Sequence, residues 1–220
     1  MKLNQYIDHT ILKANATESD VVQLCEEARQ HEFFSVCINS AWVPTARKLL
    51  AGSPVKVCSV IGFPLGAMST AAKVFEAKQA VADGADEIDM VINVGWLKDG
   101  KDDAVREEIQ AIKEAVGSRV LKVIIETCYL SDAEKVLACQ LAVEACADFV
   151  KTSTGFGTGG ATVEDVRLML DTVKGKAQVK ASGGVRDAEM ATKYIEMGVM
   201  RLGTSNGIKI VAGEAVTGGY

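Results

Sequence analysis

Short apolar, β-branched runs alternate along the whole chain with longer stretches in which apolar residues recur every three or four positions. The runs "YIDHTI", "FSVCIN", "KVCSVIGF", "DEIDMVINV", "LKVIIET", "DFVKTS", "QVKASGG" and "MRLGTS" end in turn-forming or small residues and read as strands. Between most of them lies an amphipathic segment with a helix-start signal. Thr17 precedes "ESDVVQLCEEAR" with Asp20 three positions on, Ser131 precedes "DAEKVLACQLAV" with Glu134 three on, and Thr162 precedes "VEDVRLML" with Asp165 three on. In each case a side-chain oxygen can accept from an otherwise unpaired amide while an acid sits at the positive helix end. Val163, Val166, Met169, Leu170 and Val173 fall on one helical face, the mark of core packing.

Strand–helix alternation of this kind predicts parallel strands joined by helical crossovers. Eight strands and about eight helices in 220 residues predict an α/β fold, a (β/α)8 barrel forming a single domain over residues 1–220. A doubly wound open sheet is the alternative, but no Gly-rich dinucleotide turn follows the first strand.

Composition narrows the chemistry. With 48% hydrophobic residues the chain can bury a sizeable core, and a net charge of -5 without a basic run argues against nucleic acid or an anionic membrane as partner. No apolar stretch spans a bilayer, and "MKLNQYIDHTILK" lacks the apolar core and cleavage site of a signal peptide, so a cytoplasmic protein is expected. The six cysteines form no C-x-x-C pair and lie mostly in apolar runs, as buried reduced thiols do. Only two histidines are present, His9 and His31, too few and too far apart to suggest a metal centre.

The unusual feature is lysine inside strands, because lysine is rarely buried without a partner. Lys151 in "DFVKTSTGFGTGG" and Lys180 in "QVKASGGVRD" both follow apolar residues and precede glycine-rich turns. Alternation places Phe149, Lys151 and Ser153 on one inner face, and Gln178, Lys180 and Ser182 on another. It also places Asp89 with Val91, and Lys122 with Ile124 and Glu126. Asp89, Lys122, Lys151 and Lys180 thus come from strands four to seven, neighbours around half of the barrel mouth. A closed ion-pair network is one reading, but three lysines against one or two acids balance poorly, and an uncompensated buried ammonium costs several kcal/mol. A free lysine has a pKa of about 10.4, so only about one amine in 2,500 is neutral at pH 7; a neighbouring cation and desolvation can lower that pKa by about 3 units. One lysine would then be a carbonyl nucleophile, the other its charged neighbour, with an aspartate moving protons.

The glycine turns after strands seven and eight, with Gly183, Gly184, Gly203 and Ser205, occupy the usual phosphate site of such a barrel, and Gly155 can add a third wall. A phosphorylated substrate follows. From the residues alone, another lysine aldolase or transaldolase, a pyridoxal-phosphate enzyme and a non-catalytic sugar-phosphate-binding barrel stay open.

The blocks "IDHT", "ADEIDMVIN", "LKVIIET", "ADFVKTSTGF", "VKASGGVR" and "RLGTS", in this order over nearly the whole chain, resemble the deoxyribose-phosphate aldolase family. The resemblance implies a metal-independent Schiff-base aldolase that interconverts 2-deoxy-D-ribose 5-phosphate with acetaldehyde and D-glyceraldehyde 3-phosphate, in deoxyribose phosphate catabolism, with no cofactor. It implies Lys151 as the imine-forming lysine, Lys180 as the second lysine, Asp89 as proton donor and acceptor, and Lys122 as support for the relay. Gly155, Gly183, Gly184, Gly203 and Ser205 fall on phosphate positions. Where some members carry a phosphate-binding lysine, this chain has Phe156. The terminal Tyr220 matches a tyrosine given a proton-relay role. The partners implied are phosphorylated sugar and aldehydes, with a homodimer compatible.

Overall fold

A computed structural model describes residues 2–214. Eight strands, β1 (Ile7–Ile11), β2 (Ser35–Asn39), β3 (Lys56–Ile61), β4 (Glu87–Val91), β5 (Val120–Ile124), β6 (Phe149–Lys151), β7 (Gln178–Ser182) and β8 (Arg201–Thr204), form a closed barrel in sequence order. All pairings are parallel, and β8 closes on β1 through Asp8 opposite Gly203. Nine α-helices surround it among the described residues: α1 (Glu18–Gln30), α2 (Val43–Leu49), α3 (Thr70–Ala82), α4 (Val94–Lys98), α5 (Asp102–Val116), α6 (Asp132–Glu144), α7 (Val163–Val173), α8 (Ala188–Met197) and α9 (Gly207–Ala212). The expected (β/α)8 barrel is therefore the observed one, with the short α4 as an addition. None of these helices is long and apolar enough to cross a membrane.

The capping signals work locally. Thr17 and Ser131 each accept from the amide three residues on, and Asp20 and Glu134 return the bond to the cap amide at 2.7 Å. Thr162 accepts from the Asp165 amide at 3.0 Å, but the reciprocal half is missing because Asp165 binds Lys135 Nζ at 2.6 Å instead. Strands stop earlier than their apolar runs suggest. β4 ends at Val91 because Asn93 caps α4, accepting from the Trp96 amide at 3.2 Å. β5 ends at Ile124, and Glu126 turns the chain in the left-handed region at φ 54°.

Alternation divides the core into two parts. Outward residues such as Ile88, Met90, Val123, Val150, Val179 and Leu202 join the helix faces in one large cluster. A small separate cluster, Leu12, Cys37, Cys58 and Val60 with Phe63 against it, fills the barrel on the β2–β3 side. The other half of the interior is charged. Four of the six cysteines are buried as expected, whereas Cys128 is half-buried and Cys146 exposed.

One charged pair lies outside the barrel, in the helix layer. Lys73 of α3 and Glu108 of α5 are fully buried and 2.6 Å apart, and Lys73 Nζ also donates to the Val91 carbonyl at the end of β4. Burial pulls the Lys73 pKa below its ordinary value, and Glu108 only partly offsets that. Removing one partner leaves an uncompensated buried charge. Glu108→Ala is therefore expected to cost about 3–5 kcal/mol in urea unfolding, and the apolar pair Lys73→Met with Glu108→Leu much less. Equal losses for the two would show that packing, not charge, holds this joint.

Candidate active site

Register brings the expected residues together. Asp89 lies opposite Lys122, Lys151 opposite Lys180, and Lys180 opposite Arg201, all on the inner face. The Asp89 carboxylate, wholly buried, is the meeting point. Its Oδ2 accepts from Lys151 Nζ and from Lys180 Nζ, each at 2.8 Å, and its Oδ1 from Lys122 Nζ at 2.7 Å and Cys58 Sγ at 3.1 Å. Lys151 pairs in register with Ile124, two residues beyond Lys122, so it lies one layer nearer the C-terminal mouth.

Three further charged residues, not expected from the sequence, complete the network. Asp8 pairs with Lys180, and with Arg201 Nη1 at 2.8 Å; Glu87 binds Lys122 Nζ at 2.7 Å and Arg201 through both Nη atoms at 2.9 and 3.2 Å. The Arg201 guanidinium also stacks on Phe34, 3.5 Å from the ring centroid. The expectation of only one or two acids is thus corrected: four cations meet three carboxylates. Glu87 was within reach of the alternation rule, two residues before Asp89.

At Asp89, Asp8, Lys122 and Lys180 electrostatics outweigh burial. Burial would raise the Asp89 carboxyl, but Lys122, Lys151 and Lys180 hold it well below its ordinary 3.8. Burial would likewise raise Asp8, yet Arg201, Lys180 and Lys122 keep it low. Burial pulls Lys122 and Lys180 down, and the carboxylates around them, Asp89 foremost for Lys122 and Asp8 with Asp89 for Lys180, lift both above the ordinary lysine value. Among the described residues Lys151 ion-pairs with Asp89 alone, whereas Lys122 and Lys180 each meet more than one carboxylate. Cys37, Cys58 and Asp89 bring three ligand atoms within 4.8 Å of one another, but a metal ion there would face the three ammoniums already on Asp89.

Above the lysines opens a cleft of about 210 Å³. All five expected phosphate residues, Gly155, Gly183, Gly184, Gly203 and Ser205, line it, as do Arg186 and Asn206. Gly183 and Gly184 adopt φ of 77° and 79°, which side chains disfavour, and so turn backbone toward the cleft. Arg186, not among the residues expected from the sequence, is exposed and carries a charge to this wall from the end of the "VKASGGVR" block. Phe156 does not line the cleft. It packs edge-on against Phe63, with ring centroids 5.3 Å apart, in a hollow shared with Leu65 and Tyr129. Glu126, expected beside Lys122 on the inner face, instead holds the loop after β6: its carboxylate accepts from the Thr154 amide at 3.1 Å and from the Thr154 hydroxyl. Tyr220 lies outside the described residues.

Comparisons with known proteins agree with this geometry. The model of the DeoC/LacD family of aldolases matches residues 2–213. The deoxyribose-phosphate aldolase of Brevibacillus brevis is 58% identical over 221 residues, covering both chains fully. That of Carboxydothermus hydrogenoformans is 60% identical over 216 residues, covering 96% of this chain and 95% of its own. Among solved structures, the tetrameric deoxyribose phosphate aldolase of Aeropyrum pernix superposes with a TM-score of 0.88 at 33% identity, over 96% of this chain and 89% of its own. A charged barrel interior below a glycine-lined cleft, and these full-length matches, lead to one conclusion: the chain belongs to the DeoC/LacD family of aldolases.

Proposed function

We propose that this chain is a Schiff-base aldolase that cleaves 2-deoxy-D-ribose 5-phosphate reversibly into acetaldehyde and D-glyceraldehyde 3-phosphate, within deoxyribose phosphate catabolism, with residues 1–220 as one catalytic domain. The observation that carries the reading is the sharing of one Asp89 oxygen by Lys151 and Lys180 at 2.8 Å each, at the foot of a glycine-lined cleft. Full-length relatives named deoxyribose-phosphate aldolase support the substrate.

In the proposed mechanism the neutral amine of Lys151 attacks the aldehyde carbon and loses water, leaving a protonated imine. The imine draws electrons from the C2–C3 bond as water polarised by Asp89 and Lys180 takes the proton of the C3 hydroxyl. Glyceraldehyde 3-phosphate leaves, and the remaining enamine is protonated at C2 and hydrolysed to acetaldehyde. Lys151 suits the nucleophile because Asp89 is its single carboxylate partner among the described residues and it lies one layer nearer the mouth than Lys122. Lys180 suits the permanent cation because two carboxylates hold its charge. Lys122 fixes Asp89 from below through its other oxygen. The imine supplies the electron sink, so the chemistry calls on no metal or organic cofactor. The cleft takes the phosphate with backbone amides, Ser205 and Arg186, and Phe156 leaves that work to them.

Two measurements test the assignment. Borohydride with acetaldehyde should add one ethyl group, located on Lys151 by peptide mass spectrometry; a label on Lys180 would reverse the two roles, and no label would mean that the lysines only hold anions. Ser205→Asp places a negative charge at the cleft wall. It should lower kcat/KM for the phosphorylated sugar at least about tenfold, or about 1.4 kcal/mol, relative to unphosphorylated deoxyribose. Equal losses on both would show that Ser205 shapes the loop rather than the anion site.

A further inference from the structure

Among the described residues three buried hydroxyls have no partner, those of Thr127, Ser153 and Ser182, and the two serines stand on barrel strands or at their ends, beside the lysines. Ser153 Oγ and Ser182 Oγ are buried, and neither makes a hydrogen bond within the described protein. Native interiors rarely leave such atoms unpaired, since desolvating a hydroxyl without compensation costs about 1–3 kcal/mol. Both serines occupy equivalent places. Each lies two residues beyond a lysine of the network, Ser153 after Lys151 and Ser182 after Lys180, and so one step nearer the cleft.

The glycines of the cleft show where the two serines lie. A Cβ on Gly203 would come within 2.2 Å of Ser182 Oγ and 3.2 Å of Lys180 Cε, and one on Gly183 within 3.4 Å of Ser153 Cβ. Gly203 and Gly183 both line the cleft. The serines therefore border the passage between the lysine ammoniums and the anion site. Neighbouring polar side chains are otherwise committed: Thr152 Oγ1 donates to the Ser182 carbonyl at 3.0 Å, and Thr154 Oγ1 donates to Glu126.

We propose that Ser153 and Ser182 bind the C4 hydroxyl of the sugar phosphate, which is the C2 hydroxyl of D-glyceraldehyde 3-phosphate in the reverse direction. The inference rests on the function proposed above. With C1 bound to Lys151 and the C5 phosphate in the cleft, C3 and C4 span the passage. The C3 oxygen is committed to losing its proton, so C4 carries the hydroxyl free to be recognised. A hydroxyl donates once and accepts, so it can give its proton to one serine and take one from the other. The serines are thus specificity-determining residues: they favour acceptor aldehydes with a hydroxyl next to the carbonyl.

The test compares two acceptors in acetaldehyde addition, D-glyceraldehyde 3-phosphate and its deoxy analogue 3-phosphooxypropanal, for the wild type, Ser153→Ala and Ser182→Ala. The wild type should favour the hydroxylated acceptor. Each variant should lower the ratio of kcat/KM values about tenfold, the worth of one buried hydrogen bond. Melting temperatures should equal or exceed that of the wild type, because neither hydroxyl is bonded in the free fold. An unchanged ratio in both variants overturns the proposal. So does a variant that melts earlier or fails to fold, since the hydroxyl would then be structural. A wild-type protein that adds acetaldehyde to neither acceptor would instead refute the aldolase reading itself.

Discussion

One wholly buried carboxylate organises this barrel. Asp89 accepts from three lysine ammoniums on three successive strands, β5, β6 and β7, at 2.7–2.8 Å. Each ammonium is costly to bury alone, and the Coulombic return is adequate only at such distances. The network therefore fixes register: a slip of one residue in any of these strands would turn its lysine outward into the apolar helix layer. The same contacts keep the carboxylate ionised and hold Lys180 charged, which the proposed imine chemistry requires.

The rest of the molecule serves that arrangement from both sides. Outside, the helix faces bury the alternate apolar residues of each strand, and the Lys73–Glu108 pair holds α3 and α5 against the end of β4, two residues beyond Asp89. Below, Arg201 ties Asp8 and Glu87 together while stacked on Phe34, so the first, fourth and eighth strands share one cation. Above, strands give way to glycine turns whose backbone faces the cleft. Charge density thus falls from the ion-pair layer, through two serine hydroxyls, to the glycine-lined cleft proposed for the phosphate, the order in which a short phosphorylated sugar presents aldehyde, hydroxyls and phosphate.

Much of this was legible in the sequence, for identifiable reasons. A lysine in an apolar strand is conspicuous, and period-two alternation with the order of strands placed Asp89, Lys122, Lys151 and Lys180 on one inner face. The glycine turns stood at the right strand ends. Asp8 and Arg201 were not legible, because they are 193 residues apart and meet only when β8 closes on β1. Glu87 shares the inner face with Asp89 by the same alternation, and its role shows only once Arg201 and Lys122 are placed against it. Alternation carried past Ile124 points Glu126 inward; a left-handed backbone at that residue, which no local pattern announces, turns it to Thr154. The half-formed cap at Asp165 has a similar cause, a distant lysine competing for the carboxylate.

The whole arrangement requires Asp89 to rest as an ion inside the barrel. Carbon-13 NMR of the protein labelled at aspartate Cγ tests it directly, with the Asp89 signal identified by its absence in Asp89→Asn. The three lysines should hold that signal at the carboxylate position, without titration, from about pH 8 down to about pH 4. An Asp89 signal that titrates within that range, or sits at the protonated position at neutral pH, would show that the three lysines do not hold the carboxylate ionised.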